Sequence, residues 1–126
     1  MSLETIQISA SEDTPTILLD PGRSEYSISG RSLPEDVLTF YGPVMHWLDR
    51  LISSGLPKFD LRIDLDYFNT ASSKVLLDIF MKLEEAMENG TTTSVTWVYP
   101  STDTDMHEAG VEYSELVSVP FSIVAR

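Results

Sequence analysis

The 126 residues, 42% of them hydrophobic, suffice for one self-supporting core, and the absence of cysteine removes disulfide frameworks, thiolate metal sites and cysteine nucleophiles together. Twenty acidic residues against eight basic ones leave a net charge of -12, and no two basic residues are adjacent, so the chain lacks the basic stripe a nucleic-acid binder needs and would be repelled by an anionic membrane. A partner with a basic face would instead be steered toward it.

The start, Met1-Ser2-Leu3-Glu4-Thr5, has neither the basic nor the apolar region of a secretory signal. No apolar run approaches the roughly 18 residues of a membrane span, so a cytoplasmic protein is expected. Residues 1–14 read as a loose leader rich in Ser, Asp, Glu and Thr, with room for a short strand over 6–8. Residues 15–126 read as a single domain.

Two short apolar runs, Thr16-Ile17-Leu18-Leu19 and Tyr26-Ser27-Ile28-Ser29, flank the turn-forming Asp20-Pro21-Gly22-Arg23 and predict a hairpin. Ser32 and Glu35 then stand at capping-box spacing, with Pro34 in the first turn of the helix they would open. Its inward stripe is Val37, Phe40, Tyr41, Val44, Trp47, Leu48, Leu51 and Ile52, with Pro43 bending it and Ser53-Ser54-Gly55 ending it. Residues 58–68 alternate: Phe59, Leu61, Ile63, Leu65 and Tyr67 face one way, Asp60, Arg62, Asp64 and Asp66 the other.

A second helix is predicted over 71–88, with Val75, Leu76, Ile79, Phe80, Leu83 and Met87 inward and Asn89-Gly90 as its stop. A strand follows over 92–99, then a helix over 103–117 with Met106, Ala109, Tyr113 and Leu116 inward, and a last strand over 121–124. Strand–helix–strand units imply parallel neighbours joined by right-handed crossovers. The strands alternate where doubly wound sheets show continuous apolar runs. The expected fold is therefore a two-layer α/β sandwich: a mixed sheet, hairpin at one edge, helices mainly on one face.

The segment Asp64-Leu65-Asp66-Tyr67-Phe68-Asn69-Thr70-Ala71-Ser72-Ser73-Lys74 lies where a strand hands over to a helix, and Asn69 or Thr70 is the natural N-cap. A helix start offers unpaired N–H groups and partial positive charge, which stabilise a phosphate placed there. On spacing alone, a hydroxyl at this position reads as a plain cap.

A hydroxyl residue at this turn resembles the anti-sigma-factor antagonists of the STAS class. A fuller likeness is to the SiaC family of regulatory phosphoproteins. Three blocks carry it: Gly30-Arg31-Ser32-Leu33-Pro34-Glu35-Asp36, Tyr67 to Lys74, and Trp97-Val98-Tyr99 with residues 103–121. With Phe40, Tyr41 and Trp47 the likeness spans most of the chain from Thr14.

The resemblance implies that Thr70 is the phosphoacceptor. It implies a cognate serine/threonine kinase of histidine-kinase-like ATPase fold and a PP2C-type phosphatase. It further implies that the unmodified form binds and activates a diguanylate cyclase, controlling cyclic-di-GMP and biofilm formation. Asp66, Tyr67, Asn69, Ser72 and Ser73 are the expected partner contacts around the turn. Partner switching as an anti-sigma-factor antagonist, or a constitutive scaffold in which Thr70 only caps the helix, are the competing readings.

Other constellations point elsewhere only weakly. Asp103, Asp105, His107 and Glu108 could suggest a metal site, but acidic residues suit a first helical turn, and consecutive helical positions do not converge on one ion. His46 reads as a buried or half-exposed structural residue. A hydrolase built on Ser72 or Ser73 with His46 or His107 would need a Gly-x-Ser-x-Gly elbow, which is missing. Asp64 and Asp66 lack the downstream lysine of a receiver-type acyl-phosphate site and read as solvation of the open face. No catalytic residue, metal or cofactor is expected.

Overall fold

The computed structural model describes residues 3–126. Among them six strands and three helices follow in the order β1 (Ile6–Ile8), β2 (Thr16–Asp20), β3 (Glu25–Ser32), α1 (Val37–Ile52), β4 (Lys58–Phe68), α2 (Thr70–Glu88), β5 (Thr92–Tyr99), α3 (Thr104–Leu116) and β6 (Phe121–Ala125). The strands form one sheet in sequence order; β1, β2 and β3 pair antiparallel, and β3 to β6 pair parallel. With consecutive strands as neighbours, right-handed crossovers place all three helices on the same face. Ile17, Leu19, Tyr26, Ile28, Phe59, Leu61, Ile63 and Leu65 line that face and join the helices' apolar stripes in one core. This is the single-domain α/β fold expected, with a mixed sheet and helices on one side.

The hairpin forms as the Asp-Pro-Gly-Arg turn requires, with Ile17 opposite Ile28 and Arg23 N–H donating to the Asp20 carbonyl at 3.3 Å. Part of the segment read as a leader is an edge strand: β1 lies against β2, and Trp47 Nε1 donates to the Glu4 carbonyl at 2.6 Å.

Four local expectations are corrected. Ser32 does not cap α1. It ends β3, paired with Phe68 of β4 and fully buried, and Pro34 disfavours helical backbone at Leu33, so a helix opening at Ser32 is disfavoured. Asp36 is the cap instead, its carboxylate accepting from Thr39 N (3.1 Å) and Thr39 Oγ1 (2.8 Å), which lowers its pKa.

Tyr67 does not continue the inward row of β4. Gly30 pairs with Leu65 but Arg31 with Tyr67, so Asp66 is an extra residue in the ladder and the alternation reverses beyond it. Tyr67 is 50% exposed, and Phe68 turns inward to meet Trp97 edge-on at 6.0 Å.

Leu116 is 65% exposed, because α3 turns its inward stripe through Met106, Gly110 and Tyr113. His46 is exposed on α1.

Gly110 allows the close approach of α3 to the sheet. A Cβ built there would lie 2.4 Å from Cδ1 of the buried Trp97, whose Nε1 donates to the Met106 carbonyl at 3.0 Å. Gly110→Ala should therefore destabilise the fold by about 1–3 kcal/mol through overpacking. Gly42→Ala on α1, where a Cβ meets nothing within 4 Å, should stabilise it by up to about 1 kcal/mol through helix propensity. Urea unfolding of the two variants checks the opposite signs.

Candidate functional site

The turn from β4 into α2 is held from three sides. Asn69 caps α2, its Oδ1 accepting from Ser72 N at 2.8 Å, while its own N–H donates to the Ser32 carbonyl at 3.1 Å. Thr70 is therefore the first helical residue and not the cap.

Beneath the turn runs a buried chain of hydroxyls. Ser72 Oγ donates to the Ser32 carbonyl at 2.9 Å and also lies 2.9 Å from Ser32 Oγ, which is 2.6 Å from Tyr41 Oη. Each hydroxyl has one proton. With that of Ser72 on the carbonyl, Ser32 donates to Ser72 and Tyr41 donates to Ser32. Burial raises the Tyr41 pKa, in keeping with a phenol that stays protonated as the donor.

From the other side, Tyr113 on α3 donates its hydroxyl to the Ser73 carbonyl at 2.7 Å. Burial first, then the neighbouring Glu112 carboxylate, pushes the Tyr113 pKa up to about 12.

These contacts separate the three hydroxyl residues of the turn. Ser72 is fully buried and committed to the network, so its expected role as a partner contact is corrected: no partner can reach it. Ser73 is half-buried, and its Oγ donates to the Thr70 carbonyl at 2.6 Å. Thr70 is exposed, and among the described residues no hydrogen bond engages its Oγ1.

Of the other expected contacts, Tyr67 and Asp66 are exposed beside the turn, while Asn69 is half-buried with its side chain fixed as the cap. Asp66 is held by Arg126, whose Nη2 lies 2.5 Å from it while Nε donates to Asp64 at 2.8 Å. Ser32, Tyr41 and Tyr113 are part of the site, although their sequence pattern marks them only as a cap and as core. No periodicity distinguishes a buried hydroxyl that also bonds a distant one.

The residues considered for metal binding stay dispersed in role. Asp103 caps α3 by accepting from Met106 N at 3.0 Å, and the His107 ring stacks edge-on against Tyr99 at 4.9 Å. Among the described residues no group of three or more His, Asp or Glu side chains is arranged to hold a metal, and no helix is long and apolar enough to cross a membrane.

Fold and turn thus define a small single-domain α/β protein that displays a hydroxyl on a braced helix start. Comparison with known proteins gives the family. The model of the SiaC family of regulatory phosphoproteins matches residues 8–126. An uncharacterized protein of Pseudomonas aeruginosa (strain UCBPP-PA14) is 32% identical over 124 residues, 98% of each chain. The crystal structure of apo-SiaC from Pseudomonas aeruginosa superposes with a TM-score of 0.88 at 33% identity, over 97% of this chain and 99% of that one. SiaC in a crystal structure with diguanylate cyclase SiaD, whose activator it is, gives a TM-score of 0.90 at 33% identity, covering 96% and 99%. The chain belongs to the SiaC family of regulatory phosphoproteins.

The Tyr113 brace has a pH signature. Its raised pKa means that the folded state holds the phenol proton more tightly than the unfolded chain does, so its contribution is complete below pH 10 and is lost as pH rises toward about 12. Tyr113→Phe should cost about 1 kcal/mol at pH 8. That gap to the wild type should narrow between about pH 10 and 12, as followed by urea midpoints across the range.

Proposed function

We propose that this protein is a phosphorylation-switched binding module, not an enzyme, acting in the cytoplasm. Its unmodified form binds and activates an output protein, a diguanylate cyclase, and so controls cyclic-di-GMP and biofilm formation. Phosphorylation of Thr70 by a kinase of histidine-kinase-like ATPase fold abolishes binding, and a PP2C-type phosphatase restores it.

The observation that carries this reading is the sorting of the hydroxyls. Of the three in the turn, only Thr70 is both exposed and unengaged. Family membership and the activator role of the Pseudomonas aeruginosa relative support it. A scaffold in which Thr70 merely caps the helix is disfavoured, since Asn69 is the cap.

The physics of the switch follows from the position. A phosphate on the first helical residue meets unpaired N–H groups and the positive end of the helix dipole, so the modified turn stays folded. It also adds nearly two negative charges to a surface that carried a small hydroxyl. A partner seated over Tyr67 and Thr70 would have to desolvate that charge, and an unpaired buried charge costs several kcal/mol, with each 1.4 kcal/mol worth tenfold in affinity.

Substitution separates the switch from the fold. Thr70→Ala removes no cap, and Thr70→Asp adds an acid where the dipole favours one, so both should keep stability within about 0.5 kcal/mol of wild type. Calorimetric titration against the cyclase should show wild-type affinity for Thr70→Ala, about tenfold or more loss for Thr70→Asp, and a larger loss for the phosphorylated protein. Equal affinity of the unmodified and phosphorylated proteins would show that this turn is not the switch.

A further inference from the structure

Thr70 and Lys74 stand four residues apart on α2, so their side chains emerge one turn from each other on the same face of the helix. Both residues are exposed. The Cα–Cβ bonds of a helix tilt toward its N-terminus, so a long side chain at 74 extends back toward the turn that carries Thr70.

Lys74 is also set apart by its lack of an acidic partner. Twenty acidic side chains compete for only eight basic ones in this chain. Arg23, Lys58, Arg62, Lys82 and Arg126 each pair with an aspartate, and Arg50 is engaged as well. Lys74 and Arg31 have no ion-pair partner among the described residues. Both border the turn: Arg31 is the ladder partner of Tyr67, and Lys74 lines a cleft with Phe68 and Ser73.

Two carboxylates stand near Lys74 without pairing with it. Asp78 follows it by four residues on α2, and Glu112 of α3 lines the same cleft. A lysine N-terminal to its acid is the weaker orientation of such a helical pair. A phosphate on Thr70 gives the stronger order, acid before base, and carries nearly two charges in place of one.

We propose that Lys74 is a positioning residue of the modified state, its ammonium pairing in cis with the phosphate on Thr70 and holding it as the dianion. The proposal rests on the reading of Thr70 as the phosphoacceptor. A phosphothreonine ionises for the second time near pH 6, so near neutral pH an unpaired one carries less than its full charge. Pairing lowers that pKa in the folded state and keeps the full charge of the switch in place. The stability that this second charge adds is present above about pH 6 and is lost as pH falls through the lowered value. Carboxylates on the neighbouring elements act in the opposite direction: Asp66, Asp103 and Asp105 around Phe68, Glu112 on α3 and Asp36 at the start of α1. They are common to every variant, so the change made at Lys74 isolates the pair.

The probe is the whole protein with phosphothreonine installed at position 70 during translation, which needs no kinase. Its phosphate is titrated by phosphorus NMR, and urea midpoints are compared with and without the phosphate. Lys74→Gln should raise the phosphate pKa by about 0.3 unit, and Lys74→Arg should restore the wild-type value. Phosphorylation should move the urea midpoint more favourably in wild type than in Lys74→Gln, and that advantage should shrink between about pH 7 and 5. Without the phosphate Lys74→Gln should leave the midpoint unchanged, whereas a merely structural lysine would lower it.

An unchanged phosphate pKa in Lys74→Gln would overturn the proposal. So would an equal rise in Arg31→Gln, or a loss of stability in Lys74→Gln that is the same with and without the phosphate. If phosphothreonine at 70 left cyclase binding intact, the switch would fail while these measurements still decided the pair.

Discussion

The Ser32 carbonyl is the point on which the site depends. It accepts both the Asn69 N–H and the Ser72 hydroxyl, so the end of β3 fixes the start of α2 across 40 residues of sequence. Ser32 Oγ extends the link to Tyr41 on α1. A buried hydroxyl network is stabilising only when every member is satisfied, and loss of one partner exposes the others to the full cost of an unmet polar group. Here each proton has an acceptor. The first turn of α2 is thereby rigid on its inner side, and Thr70 is directed outward by elimination.

Charge pairing divides the surface into a quiet part and an available part. On the open face of the sheet Arg126 reaches from the end of β6 across β5 to Asp64 and Asp66 on β4. Val98, on that same side of β5, is only 2% exposed. The aspartates that dominate the sequence of β4 are therefore largely neutralised in place. On α3, Asp105 and Glu112 lie near Phe68 without an ion-pair partner among the described residues, with Lys74 of α2 on the Glu112 side. A negative chain thus has a directional surface, which its total charge does not convey.

The bulge at Asp66 joins these two regions. One extra residue reverses the alternation, which turns Phe68 inward onto Trp97 and leaves Tyr67 at the surface beside the turn. Without it Tyr67 would be core, and the turn would present no aromatic ring. Gly110 complements this by letting α3 approach Trp97 closely enough for Tyr113 to reach the Ser73 carbonyl.

Much of this was legible in the chain itself. Period-two alternation over residues 58–65 and period-three-to-four apolar spacing in 37–52 and 75–83 set the elements and the inward face, because local backbone geometry alone decides where successive side chains point. The position of Thr70 was legible too, as a hydroxyl at a strand-to-helix turn. What the chain could not disclose depends on contacts between distant residues. Ser32-x-x-Glu35 has the form of a capping box, yet Ser32 lies in a strand, paired with Phe68 and with Tyr41 and Ser72 completing its hydrogen bonds. The choice of Thr70 over Ser72 as the accessible hydroxyl, the reversal at Asp66 and the pairing of Arg126 with Asp64 were likewise settled only in three dimensions. Sequence pattern encodes which face of an element is apolar; which polar group finds a partner depends on what the fold brings within about 3 Å of it.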